Sequence, residues 1–162
     1  MSPTDAAALR ALADTLPAEA PGTRLAWRAA VTVAEREALG TGPTGERFIV
    51  PITGGAFWGG PAHPQLHGHV RTGGADRQLL RADGIKELDA LYELQVHDGT
   101  VITVRNHVRI DEAENPRYAR SVVQVTAPAG PWAWLNRRVF VGTLHSLRPQ
   151  AVAVLVSVFE LV

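Results

Sequence analysis

From Arg24 to the last residue the chain is a succession of alternating apolar and polar runs, cut by short clusters of Gly, Pro, Asp and Asn, and nowhere between them is there room for a crossover helix. Parallel neighbours need a connection of about a dozen residues or more, so strands joined this closely pair antiparallel. The runs "RLAWRAAVTVAERE", "ERFIVPITGGAFWGG", "QLHGHVRTGG", "DRQLLRADG", "IKELDALYELQVHDG", "TVITVRNHVRI", "RYARSVVQVTA", "RRVFVGTLHSL" and "AVAVLVSVFELV" give about eight or nine strands, which means a sandwich or a barrel, and only closure into a barrel removes the exposed edges. Pro51 and the Gly54-Gly55 pair fall inside one run and mark a bulge or tight bend, as at a barrel corner. Asp98-Gly99 is a hairpin signal, and Asp83-Gly84 a hinge between two further strands.

The last run adds a constraint. Val152, Val154, Val156 and Val158 share one face, while Ala153, Leu155 and Phe159 share the other. With both faces apolar, one fills a barrel interior and the other meets the N-terminal helix or a second subunit; a homodimer is therefore expected. That helix is read in the first 22 residues: Ser2 as cap, Pro3 at the first helical position, Asp5 against the helix dipole, and Leu9, Leu12 and Leu16 as an apolar stripe ended by Pro17. It is expected to pack on the outside of the barrel or to lie over its mouth, with residues 23–162 forming a single barrel domain.

Composition narrows the function. A chain of 162 residues with formal net charge zero lacks the basic footprint of a nucleic-acid binder or of a protein held on an anionic membrane surface. The absence of cysteine excludes disulfides, thiolate catalysis and Cys-based zinc sites. The N-terminus does not read as a signal peptide, and no apolar stretch reaches the roughly 18–20 residues of a membrane span. A cytoplasmic protein is expected, and frequent Ala, Arg and Gly suggest a GC-rich bacterial genome.

The polar residues with chemical potential cluster between Gly73 and Asn106. In "KELDALYELQV" and "TVITVRNHV" the alternation places Tyr92 and Asn106 on apolar faces, and Asp89 and Arg105 on polar ones. Each has a plain structural reading: an Asp89–Arg105 ion pair, a packed Tyr92, a backbone-bonding Asn106, and Asp76 as a turn former after Gly73-Gly74. Together they also make an acid with neutral donors, the set needed to line an apolar pocket and orient a ligand. His67 and His69 share one side of a strand, with His63 just before them. No third ligand accompanies the pair, so neither a metal nor another cofactor is expected. Trp58, Trp132 and Trp134 fall near bends or loops, where they either wall a pocket mouth or pack as core or interface.

Three segments, "GERFIVPITGGAFWG", "GGADRQLLRADGIKELDALYELQVHDGTVITVRN" and "WLNRRVFVGT", resemble the domain-of-unknown-function 3237 family, in order and with similar spacing from about Arg24 to the C-terminus. The resemblance implies a closed antiparallel β-barrel of calycin-like shape, often dimeric. It also implies that the family-like polar positions are Asp76, Gln78, Asp89, Tyr92, Arg105, Asn106, Trp134 and Asn136. The chain departs from the family pattern at Arg77, where Trp is common, at Leu91, where Arg is common, and after Asn106, where the usual glycine is missing. If Arg77 and Leu91 border the cavity, this pocket lacks an aromatic wall and a cation.

The expected function is that of a cofactor-independent barrel enzyme of isomerase, cyclase or lyase type acting on a small, largely apolar carbonyl metabolite. Asp89 or Asp76 would be the base, and Tyr92, Asn106 and Arg105 would stabilise the developing oxyanion; Gln78, Trp58, Trp134 and Asn136 would contact the substrate. The alternatives are a barrel that binds a small molecule without chemistry and a structural subunit with a filled barrel.

Overall fold

The computed structural model describes residues 5–162. A helix, α1 (Ala6–Ala13), precedes ten strands: β1 (Thr23–Val33), β2 (Glu37–Gly42), β3 (Gly45–Gly59), β4 (His67–Val70), β5 (Ala75–Leu80), β6 (Lys86–Val96), β7 (Val101–Asp111), β8 (Tyr118–Thr126), β9 (Phe140–Ser146) and β10 (Ala153–Leu161). A 3-10 helix, Ala133–Arg137, separates β8 from β9. All pairings are antiparallel, and the circuit runs β1-β10-β9-β8-β7-β6. Both β4 and β5 then bridge β6 to β3, and β3 pairs back to β1. The sheet is thus closed into a barrel of eight strand positions, with β4 and β5 sharing one of them and β2 paired to the first half of β3.

The long strand β3 makes closure possible. Its first half pairs with β2 and β5, and its second half with β1 and β4. The change of partners falls at Thr53–Gly55, where the register against β1 slips. Gly55 sits at a φ of 131°, and a Cβ there would lie 2.0 Å from the Ala30 carbonyl oxygen. Only glycine tolerates both conditions, so the bend anticipated from Gly54-Gly55 is a requirement of the barrel wall.

The lumen is filled unevenly. Inward-facing residues near one end are large: Trp27, Phe57, Leu66, Leu94, Ile102 and Phe140, each at most 2% exposed. The 3-10 helix corks that end with Leu135 and Trp132, and the Trp132 Nε1–H donates to Asp98 Oδ2 at 2.8 Å, tying the cork to the β6–β7 hairpin. Toward the other end the inward residues shrink to Ala90, Val31 and Val108, and the interior opens into a cavity.

The inward face of β10 is Val154, Val156 and Val158, as the alternation requires, while Val152 lies before the strand and is exposed. The expected packing of α1 on the barrel is not found. Leu9, Leu12 and Leu16 are exposed, no residue of the helix is buried, and residues 14–22 are exposed throughout. Among the described residues, the segment's backbone hydrogen bonds to the barrel are those that Gly22 exchanges with Val162. The helix cap is Asp5, whose Oδ1 accepts the Ala7 N–H at 2.8 Å; Ser2 and Pro3 lie outside the described residues. No helix among the described residues is long and apolar enough to cross a membrane.

Candidate functional site in the barrel lumen

The open half of the lumen encloses about 340 Å³. Its wall is aliphatic, built from residues such as Val31, Val50, Ile52, Leu88, Val108 and Val156. Asp76 and Gln78 from β5, Tyr92 from β6 and Asn106 from β7 interrupt it, and Glu35, Arg36, Lys86, Ser146 and Arg148 also border the cavity.

Register explains their convergence. Asp76 pairs with Ala90, and Ala90 pairs with Asn106, so the three form one row across β5, β6 and β7. Two interstrand spacings put the Asp76 and Asn106 backbones roughly 10 Å apart, with only the Ala90 methyl between them. Tyr92 stands two residues along from Ala90 on the same inward face. The Gly73-Gly74 turn delivers β5 into this row. A Cβ on Gly74 would lie 2.6 Å from Tyr92 Cβ, so glycine lets the turn close over the tyrosine.

These groups are short of partners. Asp76 Oδ2 accepts a hydrogen bond from Gln78 Nε2 at 2.8 Å, but Asp76 Oδ1, the Tyr92 hydroxyl and Asn106 Oδ1 are buried with none. Buried polar atoms are paired in the great majority of cases, and an unpaired one costs about 1–3 kcal/mol; three such atoms face this one cavity, with hydrogen-bonding capacity available to a molecule inside it. Burial raises the Asp76 carboxyl above its ordinary value. The Gln78 hydrogen bond and the Asp89 backbone oppose the rise, and the charge of Asp89 adds to it. Burial likewise raises the Tyr92 phenol, with the Asp76 charge adding, so this hydroxyl stays protonated and can donate.

The other residues expected at the site lie elsewhere. Asp89 and Arg105 face outward and form a two-point ion pair on the barrel exterior, at 3.0 and 2.9 Å, with His107 Nδ1 3.6 Å from Asp89. Arg105 holds the Asp89 carboxyl below its ordinary value, the reverse of what a base needs. Trp58 is on the outer face opposite Arg28 and is 42% exposed. Trp134 stacks on His63 at 4.5 Å beside the corked end, away from the cavity. Asn136 bonds the Ala127 backbone through both ends of its amide, each at 2.8 Å, and so pins the cork to the end of β8. Asn136→Ala should lower stability by about 1–3 kcal/mol in urea denaturation while leaving the lumen unaltered. Arg77 is exposed and Leu91 is 50% exposed, both on the outer wall, so neither departure from the family pattern removes anything from the cavity.

The histidines are dispersed. His67 and His69 are exposed on β4, and His67 stacks on His97 at 4.5 Å. His63 Nε2 comes within 3.5 Å of the fully buried Glu160, without hydrogen-bond geometry, and Arg24 holds that carboxylate. A broader groove on the outer wall is bordered by Glu87, His107, Arg109 and Arg120; Glu87 meets Arg109 at 3.5 Å, and His107 faces Asp89.

The sequence reading missed the cavity rim. Lys86 lies on the inward face two residues before Leu88, and Arg36 and Arg148 reach the same opening from loops. Continuing the alternation of β6 one step backward would have found Lys86; the two arginines carry no local signal.

Geometry alone defines a closed antiparallel β-barrel whose half-open lumen presents an acid, a phenol and two amides within aliphatic walls. The chain belongs to the family described as "Protein of unknown function (DUF3237)", whose pattern matches residues 21–161. A UPF0311 protein of Rhodopseudomonas palustris is 30% identical over 114 residues, which cover 62% of this chain and 72% of the relative. Among solved structures, a β-barrel-like protein from Acinetobacter baumannii superposes with a TM-score of 0.74 at 26% identity, covering 90% of this chain and all of that one. An enzyme from Penicillium herquei superposes with a TM-score of 0.70 at 22% identity, covering 91% of this chain and all of that one.

Proposed function

We propose that the lumen is an acid–base site for a small, largely apolar carbonyl compound, with Asp76 as the base. The observation that carries this reading is the group of three buried atoms without partners, Asp76 Oδ1, the Tyr92 hydroxyl and Asn106 Oδ1, facing one cavity. Asp76 takes a proton from the carbon next to the carbonyl, and the electron pair left behind moves onto the carbonyl oxygen. The Tyr92 O–H donates to that oxygen, stabilising the enolate in surroundings where water does not compete. Gln78 holds the second Asp76 oxygen and aims the first, and Asn106 fixes a hydroxyl or carbonyl of the ligand. Returning the proton to a different carbon isomerises the compound; loss of a leaving group from the adjacent carbon makes the same enolate the start of an elimination.

A half-empty lumen speaks against a barrel filled for structure alone, and the occurrence of this fold in an enzyme of Penicillium herquei supports a catalytic reading. The test is deuterium exchange. A panel of small aryl and alkyl ketones is incubated with the protein in D2O and followed by proton NMR. The native protein and Asp89→Asn should both accelerate exchange next to the carbonyl, and Asp76→Asn should not. Ligand binding with no exchange for any member would make this a carrier instead, and loss of exchange in Asp89→Asn with retention in Asp76→Asn would overturn the assignment.

A further inference from the structure

The opening of the lumen concentrates positive charge in a chain whose charges balance overall. Formal net charge is zero, yet the rim carries Arg36, Lys86 and Arg148 against the single carboxylate of Glu35. The three cations come from separate places: Arg36 from the link between β1 and β2, Lys86 from the first residue of β6, and Arg148 from the turn between β9 and β10. Six arginines (Arg10, Arg24, Arg81, Arg105, Arg109 and Arg117) hold a carboxylate and several others on the surface do not, so what sets the rim cations apart is their convergence on one cavity. Among the described residues no carboxylate lies within ion-pair distance of Arg36, Lys86 or Arg148.

Lys86 is the most telling of the three. It pairs with Leu80 and Ile110 and shares the inward face with Leu88, Ala90 and Tyr92, so its stem runs along the cavity wall. A half-buried lysine facing inward without a counter-ion is costly unless its head reaches the mouth or meets an anion there. Arg36 is held in place from below, its guanidinium 3.9 Å from the centre of the Phe48 ring, which leaves its N–H edge for another group.

We propose that the ligand of the lumen is an anion, with a carboxylate-like oxygen group held at the rim by Lys86, Arg148 and Arg36 and an apolar body reaching inward to Asp76. The inference rests on the lumen being a ligand site and adds the substrate class. Asp76 lies two cross-strand rows below Lys86, four residues along β6 by way of Ala90, or roughly 13 Å of strand. The arrangement therefore selects molecules whose charge and reacting carbon are well separated, and it keeps the anion away from the carboxyl that must take the proton. Positive charge around a low-dielectric opening also draws such ligands in from solution.

The probes are phenylalkanoates with two to six methylenes and their matching phenylalkanols, measured by titration calorimetry. The native protein should bind at least one carboxylate about tenfold more tightly than its alcohol, because charge-assisted hydrogen bonds are the stronger ones, and added salt should narrow the gap. The Lys86→Gln/Arg148→Gln/Arg36→Gln variant should bind the alcohol as before and lose the preference. Asp76→Asn should keep it, and Lys86→Arg with Arg36 and Arg148 left native should keep most of it. Unchanged thermal unfolding confirms that the variants fold. Equal binding of acids and alcohols by the native protein, or a preference that survives the triple substitution, overturns the anion subsite and leaves the lumen as a ligand site. Failure of every probe in both series overturns the subsite and the lumen reading together.

Discussion

Asp76→Asn will make the protein more stable at neutral pH and eliminate the proton exchange proposed for the lumen. Burial raises the folded-state carboxyl of Asp76, so the native protein holds this proton more tightly than the unfolded chain does. Below the ordinary carboxylate range the group is neutral in both states and costs nothing. As pH rises from that range through the raised folded value, ionisation inside the barrel increasingly penalises the native state, and above it the penalty is complete. Asn carries no charge at any of these values. Its advantage over Asp should therefore be negligible in acid and grow to a plateau toward neutrality in urea midpoints measured across pH. Activity moves the other way. Removing a positioned base costs typically about 10²–10⁴-fold, which places the variant at or near the uncatalysed exchange rate. If the stability gained by Asp76→Asn, relative to the native chain, were no larger at neutral pH than in acid, the carboxyl would be solvated rather than buried. Full activity would show that another group is the base.

Trp27→Ala should cost about 3–5 kcal/mol, as expected for truncating a fully buried aromatic residue. Trp27 is 1% exposed and meets Phe140 at 5.4 Å between ring centres, at the corked end of the lumen. Its Nε1 has no partner, so the loss is one of packing, and no hydrogen bond to a second group is broken. Denaturant unfolding should show a lower midpoint with little change in slope. By contrast Trp58→Ala, on the outer wall, should fall well short of this, since that ring is 42% exposed.

Much of the architecture is legible in the chain because it is local. The β6–β7 hairpin follows from alternation and from Asp98-Gly99, where Gly99 takes a φ of 90° and Asp98 Oδ1 accepts the Thr100 N–H at 2.9 Å. Alternation also separated Tyr92 and Asn106 from Asp89 and Arg105 correctly. What it does not reveal is which face looks inward once both carry polar groups, so a solvent-facing carboxylate and a buried one read alike. Asp76 follows two glycines and resembles a turn residue; its inward orientation depends on pairing with Ala90, fourteen residues on, and with Val50 on β3. The corked end is still less legible. The bond from Trp132 to Asp98 joins residues 34 apart, and Trp134 and Asn136 serve that cork and not the ligand. The leucine stripe of α1 is amphipathic by pattern, yet the helix and the Pro-containing link after it are exposed, an outcome that periodicity does not encode.

Among the described residues one end of the barrel is stoppered by aromatic rings and the 3-10 helix, and the chamber lies toward the other end. On the catalytic reading proposed above, product and precursor share the opening bordered by Arg36, Lys86 and Arg148, so added product should compete directly with substrate.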